Sequence, residues 1–343
     1  MTITRQWQTG FEHNDSSEYI SLNGSPVISS TKAKTGTYSL RTAQGSVYYA
    51  HGSTTAQAQA SMFINHAGLD GGAAYAIIAA FYSSTTAAVQ VRWYADGTLR
   101  AYCGSTEVES SSVVELLSQN TWIHIGVDVK LDGAAGWVYV YVDGTEEIGF
   151  DGDTNDGAAT LNRFVIGNAS GDGTEKWGDY LYIDDVYWND TASEGAAALP
   201  TGYRYYLNTP NADGNYSQFT GSDADQVNNY QMVDEIPPDD DTTYVSDDTD
   251  GNRDSYNMTT YTIPVGSSIA SYIPVAKARK ESVSSTYGMS LFSRLSSTDQ
   301  DGSKQSLGTG WGWIFERQTT DPGAGAWSQS DIDDAEIGIK VDS

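Results

Sequence analysis

Three aromatic side chains stand at every second position between residues 137 and 142. Trp137, Tyr139 and Tyr141 alternate there with three valines. Because successive side chains of a β-strand point to opposite faces, an extended segment puts the three rings on one face and the valines on the other. The valine face is the natural core side. Rings on the opposite face could stack against sugars or pack against another protein surface, and both uses remain open for this aromatic stripe.

Two further rings are candidates for the same kind of contact. Trp93 and Tyr94 are neighbours at the end of the strand-like segment 89–94. Trp and Tyr combine a large apolar ring with a polar edge, which suits them to a partly exposed binding surface. We therefore predict that both are glycan-binding or interface residues, together with the aromatic stripe.

Catalysis would need a different pattern. A retaining glycosidase uses two carboxyl groups about 5 Å apart. Asp184 and Asp185 are adjacent in a strand-like segment, where neighbouring side chains are expected to point to opposite faces. The four histidines lack the spacing of a zinc site, and no G-x-S-x-G segment marks a nucleophilic serine. We therefore expect a protein that is not an enzyme.

The amino-acid composition favours strands and turns. The chain of 343 residues contains 35 Gly and 23 Tyr, and Ser, Thr and Asp are also frequent. Short Tyr, Val and Ile segments separated by Gly, Asp and Asn are typical of many short strands joined by turns. The length is sufficient for two domains with a core each. We predict an all-β protein.

The chain is strongly acidic, with a formal net charge of −27. Nucleic-acid binding depends on clustered Lys and Arg that displace counterions from phosphates, so we expect no nucleic-acid partner. An acidic surface keeps an exposed protein soluble, and its carboxylates could hold Ca²⁺. The sequence has no apolar segment long enough to cross a bilayer, and we expect no membrane span.

Strand-like segments and turns alternate through the first part of the chain. Asp96-Gly97 and Asp143-Gly144 each follow such a segment, and these dipeptides favour tight hairpin turns. The predicted strands include residues 59–64, 74–81, 89–94, 122–129, 137–142, 163–166 and 181–188.

A segment of small residues, 191–201, separates residues 1–190 from residues 202–343 and is typical of a linker. We predict that each of these two parts is a domain and that the second is also β-rich. In the second part an acidic, turn-rich region, 210–254, precedes predicted strands at 256–263, 268–279, 287–294, 312–317 and 335–341.

Motifs follow one another in a recognisable order through residues 4–190. The segment 122–129 begins Trp-Ile-His-Ile, and the segment 137–144 ends Tyr-Val-Asp-Gly. Residues 182–188 contain Ile-Asp-Asp-Val. These segments resemble the central hairpin and the closing strand of concanavalin A-like and laminin-G-like jelly rolls, and residues 10–12 and 35–41 resemble the opening strand pair. The resemblance implies a lectin-like jelly-roll sandwich for residues 1–190.

The same resemblance implies a metal site. In related carbohydrate-binding jelly rolls the first and last strands are neighbours, and acids there can hold a structural calcium ion through several hard oxygens. Glu12, Asp184 and Asp185 occupy the matching positions. Calcium is the one cofactor that this implies. The alternative is that the aspartates cap a turn or accept hydrogen bonds from the backbone.

Residues 202–343 carry a second set of motifs. They include the segment 215–219, the Pro-Pro-Asp-Asp-Asp element within 233–245, and an Asp-Pro-Gly turn at 321–327 before the strand-like segment 335–339. These features resemble a domain of tailed-phage structural proteins. The resemblance implies a virion component of the capsid surface or the tail. Its partners would be other virion proteins and, in a homo-oligomer, its own copies.

The combined interpretation is a non-enzymatic virion protein that displays a lectin-like domain and binds host-surface glycans. Many copies on one particle would convert weak glycan contacts into strong overall binding. One alternative is a carbohydrate-binding protein that acts outside a virion. The other is a polysaccharide-degrading enzyme, against which the missing pair of carboxylates argues.

Overall fold

The computed structural model describes residues 5–42, 46–69, 71–113, 117–155, 160–167, 177–189 and 204–343. The chain forms two compact units, Met1–Tyr206 and Leu207–Ser343. The first unit extends beyond the predicted boundary at 202 because the backbone N–H of Tyr205 donates a hydrogen bond of 3.0 Å to Asp185. The predicted linker, 191–201, lies outside the described residues.

One sheet of the first unit has eight antiparallel strands. Their order is β13-β12-β11-β6-β15-β4-β3, and β1 also pairs with β15. The strands are β1 (Arg5–Thr9), β3 (Val27–Ser29), β4 (Ser39–Thr42), β6 (Gln57–His66), β11 (Ile123–Lys130), β12 (Gly136–Val142), β13 (Thr145–Gly152) and β15 (Leu181–Asn189).

The other sheet of this unit has seven antiparallel strands in the order β10-β9-β8-β7-β14-β5-β2. A short 3-10 helix, Ser16–Glu18, precedes β2. The strands are β2 (Ile20–Asn23), β5 (Ser46–Thr55), β7 (Tyr75–Ser83), β8 (Thr86–Tyr94), β9 (Leu99–Cys103), β10 (Thr106–Ser110) and β14 (Leu161–Gly167).

Apolar side chains from both sheets meet in one core, which makes the unit a β-sandwich. Along β6, β11 and β12 the residues of this core alternate with residues of the opposite face, as the period of two requires. The predicted all-β class and the N-terminal jelly-roll sandwich are confirmed. Contributors from the two sheets include Met62, Ile64, Ile125, Val127, Val138 and Val140, and Ile78, Phe81, Val89, Val91, Phe164 and Ile166.

The hairpin between β12 and β13 turns at Asp143-Gly144, as predicted. Asp143 has φ +47° and Gly144 has φ +84°, the pair of left-handed residues that a two-residue type I′ turn needs. Oδ1 of Asp143 accepts a hydrogen bond of 2.9 Å from the backbone N–H of His124. The turn thereby fixes the end of β11 beside the hairpin.

The second unit contains a six-stranded sheet in the order β16-β19-β25-β21-β22, with β23 paired to β21. Two further strand pairs are β17-β18 and β20-β24. The elements are β16 (Pro210–Ser217), β17 (Thr220–Gly221), a 3-10 helix (Asn229–Met232), β18 (Val245–Ser246), β19 (Arg253–Met258), β20 (Val275–Ala278), β21 (Gly288–Leu295), β22 (Thr298–Asp301), β23 (Gln305–Ser306), β24 (Gly312–Phe315), α1 (Gln329–Asp334) and β25 (Glu336–Asp342).

This unit is β-rich, as predicted, but the region 210–254 is not all turns. Its first residues form β16, which lies at the edge of the sheet and begins at Pro210. A proline is tolerated there because an edge strand need not donate every backbone N–H to a neighbour. Within the part of the chain that the structure describes, no helix is long and apolar enough to cross a membrane.

Candidate functional site

β12 presents its two faces as the sequence alternation predicts. Val138 and Val140 are fully buried in the core. The aromatic stripe lies on the opposite face of the sheet, which we call the outer face. Trp137 and Tyr139 are half-buried there, whereas Tyr141 is only 7% exposed. Two of the three rings are therefore accessible to a ligand.

Asp128 on the neighbouring strand β11 holds the ring of Trp137. The indole Nε1 donates to Oδ1 of Asp128 at 2.9 Å, and Gln59 Nε2 donates to Oδ2 at 3.0 Å. Burial raises the pKa of Asp128, while these two hydrogen bonds act to lower it. Lys130 Nζ lies 5.0 Å from the centroid of the Trp137 ring. The indole is thus fixed at its polar edge and contacted by a cation.

The two tyrosines of the stripe are held in the same way by acids on β13. Tyr139 OH donates to Asp151 Oδ1 at 2.7 Å, and Tyr141 OH donates to Glu146 Oε2 at 3.3 Å. The hydrogen bond to Asp151 raises the pKa of Tyr139 to about 12, and burial raises the pKa of Tyr141. Each ring of the stripe therefore donates its polar hydrogen to a carboxylate on an adjacent strand.

Tyr141 packs against Tyr187 of β15. The two rings come together because the residues between them, Gly126 on β11 and Ser61 on β6, are small and lie in register with them. Tyr187 is 1% exposed. Tyr141 was predicted to be a contact residue, but it is largely buried and packs against Tyr187.

Ser61 and His124 form a buried polar pair on the outer face. Ser61 Oγ lies 2.5 Å from His124 Nε2, and the His124 ring lies 5.0 Å from the ring of Phe63. Burial lowers the pKa of His124 to about 4, so the imidazole is neutral at pH 7. It can therefore accept a hydrogen bond from the serine hydroxyl. Both residues are 2% exposed, which suits packing better than contact with a large substrate.

Trp93 was predicted to be an exposed glycan-binding or interface ring, but it is buried. It is 8% exposed and part of the sandwich core. Its ring lies 5.7 Å from the ring of Trp177, in a stacked arrangement, and 4.7 Å from the ring of His66. The alternation of β8 places Trp93 on the same side as Val91, and that side faces inward.

Tyr94 lies on the seven-stranded sheet, on the face opposite to Trp93. Its ring stacks on Tyr75 at 5.1 Å, and its hydroxyl lies 2.6 Å from that of Tyr102. The guanidinium of Arg100 lies 3.9 Å from the ring centroid. Tyr94 and the aromatic stripe therefore belong to different sheets and cannot form one surface.

Asp184 and Asp185 lie at a bulge in β15. The pairing with β6 shifts register between Asp184 and Tyr187, and Asp185 has φ +49°. As a result the two carboxylates converge on one residue, Thr35, instead of pointing to opposite faces. The expected strand alternation fails here because a bulge inserts one residue into one strand of the pair.

Both carboxylates accept hydrogen bonds from protein donors. Asp184 Oδ2 accepts from the backbone N–H groups of Lys34 at 2.7 Å and Thr35 at 3.2 Å. Asp185 Oδ2 accepts from Thr35 Oγ1 at 2.8 Å and lies 3.7 Å from Arg204 Nε. Burial raises the pKa of Asp184 to about 8, with a further contribution from the charge of Asp185. Burial also raises the pKa of Asp185, to about 6.

Glu12 binds the loop that precedes β4. Its Oε2 accepts from the N–H of Thr37 at 2.9 Å, and its Oε1 accepts from the N–H of Tyr38 at 3.0 Å. Burial raises its pKa, and the charge of Asp185 adds to this effect. The carboxylate packs so closely on Gly36 that a Cβ there would lie 2.3 Å from it.

The predicted calcium site is not formed by these three acids. Their oxygens accept hydrogen bonds from N–H and O–H groups, whereas calcium needs six to eight oxygen ligands directed at one point. Among the residues that the structure describes, no group of three His, Cys, Asp or Glu side chains is placed to hold a metal ion. Glu12, Asp184 and Asp185 therefore act as acceptors for the backbone and side chains around residues 34–38 and 205.

Several residues of the outer face were not predicted from the sequence. Asp128, Asp151, Glu146 and Tyr187 all contact the aromatic stripe. Asp128 could have been found, because the register of a hairpin pairs it with Tyr139. Tyr187 could not, because it reaches the stripe only through β6, which is distant in the sequence.

Comparison with known proteins gives similarity of fold only. No protein-family model matches the sequence, and no curated protein is significantly similar to it. Domain 4 of AbnA, a GH43 extracellular arabinanase from Geobacillus stearothermophilus in complex with arabinotriose, is 15% identical. That match covers 58% of this chain and 99% of the domain, with a TM-score of 0.41.

Two other solved structures are similar to the same extent. The cellulose induced protein Cip1 is 11% identical over 54% of this chain and 97% of its own, with a TM-score of 0.42. The alginate lyase vAL-1 from Chlorella virus is 10% identical over 55% of this chain and 100% of its own, with a TM-score of 0.40. The assignment of a β-sandwich therefore rests on the strand order and register of this chain itself.

Proposed function

We propose that the protein binds glycans without catalysis, through the outer face of its eight-stranded sheet. The observation that carries this proposal is the pair Trp137 and Tyr139, half-buried on one face of β12 with their polar edges bonded to Asp128 and Asp151. Aromatic rings stack on the apolar faces of sugars. Because these rings are already held in place, a ligand would not have to order them, and less conformational entropy would be lost on binding.

Neighbouring polar groups can add direction to such stacking. Asp151 and Glu146 are exposed, and Lys130, which pairs with Trp137 between β11 and β12, is half-buried. Small-ligand sites commonly combine aromatic surface with a few polar groups that fix orientation. The outer face has both components within three adjacent strands, β11, β12 and β13.

Binding of the full chain to a panel of polysaccharides by affinity electrophoresis and calorimetry tests this proposal. Trp137→Ala and Tyr139→Ala should each weaken binding by about tenfold or more, since each removes a stacking ring. Tyr94→Ala is the matched control, because it removes a ring from the other sheet. Loss of binding in Tyr94→Ala with normal binding in Trp137→Ala would show that the site lies on the seven-stranded sheet instead. All variants are compared after their melting temperatures have been measured.

The absence of catalysis is inferred from the way in which the acids are used. Asp128 accepts from Trp137 and Gln59, while Asp184 and Asp185 accept from the loop at Thr35. The exposed acids Asp151 and Glu146 each accept from a tyrosine of the stripe. A general acid or a nucleophile needs a carboxyl group that can reach the glycosidic bond. Incubation with the polysaccharides that bind, followed by assay of new reducing ends and of unsaturated products, should show neither. Turnover of any of them would refute this part of the proposal.

We further propose that the protein is displayed on a phage particle, as a capsid decoration or in the tail. The support is the resemblance of residues 202–343 to a domain of tailed-phage structural proteins. Display of many copies would suit a surface with few accessible rings, because multivalent contacts multiply weak affinities. Mass spectrometry and immunogold labelling of purified virions test this location, and their failure to detect the protein would favour a glycan-binding protein outside a virion. Light scattering of the purified chain tests the homo-oligomer.

A further inference from the structure

We infer that the outer face selects neutral, hydroxyl-rich glycans and excludes glycans that carry carboxylate or sulfate groups. This inference rests on the proposed function and names the ligand class for the same site. It depends on which hydrogen-bonding groups the surface has left to offer a ligand and on the charge around the two accessible rings.

The hydrogen-bond donors of the aromatic stripe are already used. The indole N–H of Trp137 donates to Asp128, and the hydroxyl hydrogens of Tyr139 and Tyr141 go to Asp151 and Glu146. An indole has one donor and no acceptor, and a phenol has one donor. The stripe can therefore offer a ligand its ring faces and the lone pairs of its tyrosine oxygens, with no free donor.

The carboxylates that receive these bonds retain unused acceptor sites. An ionised carboxylate has about four lone-pair sites, whereas among the described residues each of the exposed groups Asp151 and Glu146 accepts one hydrogen bond, from a tyrosine of the stripe. The stripe and its carboxylates therefore favour a ligand that brings donors, which sugar hydroxyls do and carboxylates and sulfates do not.

The charge around the two accessible rings also favours neutral glycans. Among the described residues, no Lys, Arg or His nitrogen forms an ion pair with Asp151 or Glu146, whereas Lys130, the cation beside Trp137, lies 3.5 Å from Asp132. An acidic glycan lying on Trp137 and Tyr139 would bring its charge beside two uncompensated carboxylates. Like charges at an interface oppose binding, and the effect weakens as salt is added.

Two other cations of the outer face, Lys34 and Arg204, lie away from Trp137 and Tyr139. Lys34 and Arg204 lie over the ring of Phe63, with Nζ at 4.9 Å and the guanidinium carbon at 4.1 Å from its centroid. Burial raises the pKa of the Asp185 carboxyl, and the charges of Arg204 and Lys34 act to lower it. Phe63 pairs with His124 on β11, beyond the end of the Trp137–Tyr141 segment that faces residues 126–130. These cations therefore compensate Asp185 and do not neutralise the surface around Trp137.

The test uses pairs of polymers that share one backbone and differ in charge. Methyl-esterified and de-esterified homogalacturonan form one pair, and hydroxyethyl and carboxymethyl cellulose form another. With the full chain at low ionic strength, we expect the acidic member of a pair that binds to bind at least about tenfold more weakly, and the difference to shrink as salt is added. Equal or tighter binding of the acidic members would overturn the inference while leaving glycan binding intact.

Substitutions of Asp151 and Glu146 test the effect of charge without a change in side-chain shape. Asp151→Asn combined with Glu146→Gln keeps a carbonyl acceptor for each tyrosine and removes two negative charges. This double variant should gain affinity for the acidic polymer, whereas Asp153→Asn, two residues further along and without a bond to the stripe, should not. A gain in both variants, or in neither, would contradict the inference. If the wild-type chain binds no member of any pair or of the wider panel, the proposed function itself fails.

Discussion

Trp137 and Asp128 are joined across two adjacent strands by a hydrogen bond of 2.9 Å from the indole Nε1 to Oδ1. One partner is half-buried and the other is 1% exposed. A buried acid thus sets the orientation of a ring that solvent can reach. At Tyr139 the hydroxyl is instead bonded to an exposed acid, Asp151.

Asp128→Ala should destabilise the first unit and weaken glycan binding. It leaves the donors of Trp137 and Gln59 without their acceptor, and an unpaired buried donor costs about 1–3 kcal/mol of unfolding free energy. Urea denaturation followed by fluorescence, with calorimetric titration of the best glycan, measures both effects. Asp128→Asn is the matched control, because the amide oxygen can still accept from Trp137 while Gln59 turns its own amide to pair with the new NH₂ group. Equal losses in the two variants would argue against the hydrogen-bonding role.

Substitutions of Trp93 and Trp137 should have different effects on stability and on glycan binding. Trp93→Ala empties a site in the sandwich core beside Trp177 and His66, so a loss of about 3–5 kcal/mol is expected. Trp137→Ala should cost much less, because its ring is half-exposed, yet it should abolish most of the glycan affinity. Chemical denaturation of both variants beside the binding assay tests this contrast. A large loss of stability in Trp137→Ala would show that the ring serves mainly to pack.

The stability of the first unit should fall as pH rises from about 6.5 to 8.5. The raised pKa of Asp184, about 8, means that the folded state holds a proton that the unfolded state has released. Its contribution is complete below the ordinary aspartate pKa and disappears as pH passes through about 8, with a slope of at most about 1.4 kcal/mol per pH unit. Asp185, whose pKa is about 6, contributes in the same direction at lower pH.

Two buried histidines reduce the stability of the first unit at acid pH. His66 and His124 have pKa values lowered to about 4 by burial, so they favour the folded state above about 6.5 and oppose it as pH falls towards 4. Hydrogen exchange of peptides from the first unit, measured from pH 5 to 8.5, should therefore show a maximum of protection free energy near pH 6. Asp184→Asn should flatten the alkaline side of this curve. An unchanged alkaline slope in that variant would exclude Asp184 as its cause.

Gly36→Ala should destabilise the loop before β4. Gly36 has φ +63°, and a Cβ there would lie 2.3 Å from the carboxylate of Glu12. The left-handed conformation alone costs an alanine about 1–2 kcal/mol, and displacing Glu12 would also release the N–H groups of Thr37 and Tyr38. Gly133→Ala is the control, since a Cβ at that position meets nothing within 4 Å. Thermal unfolding of both variants should show a loss in Gly36→Ala only.

Removal of calcium should leave the melting temperature unchanged. The oxygens of Glu12, Asp184 and Asp185 accept hydrogen bonds from protein N–H and O–H groups. Thermal unfolding in EDTA and in added Ca²⁺ makes the comparison. A higher melting temperature in Ca²⁺ that Asp185→Asn abolishes would restore the metal site that the jelly-roll resemblance implies.

Local alternation was sufficient to predict much of the candidate site. Val138 and Val140 point inward and Trp137 and Tyr139 point outward because a strand has a period of two, which requires no knowledge of its partners. The hairpin at Asp143-Gly144 was equally local, because the two residues alone can adopt the left-handed conformations that the turn demands.

The same rule applied to Trp93 could not say which side was the core. β8 alternates as expected, but Trp93 and Tyr94 occupy opposite faces, and only the packing of the second sheet decided that Trp93 is inside. Asp185 shows a second limit. A bulge, which is defined by pairing with β6, turned two acids expected to diverge towards the same threonine.

Residue types at short spacing were enough to predict the β class of the protein, its strand periodicity and the aromatic stripe. The contacts of Asp128 and Asp151 with the rings of Trp137 and Tyr139, and the packing of Tyr141 against Tyr187, became visible in the folded chain alone. Those contacts depend on strand order and register across the sheet. Strand order and register come from the packing of whole sheets, which no short segment of the chain encodes alone.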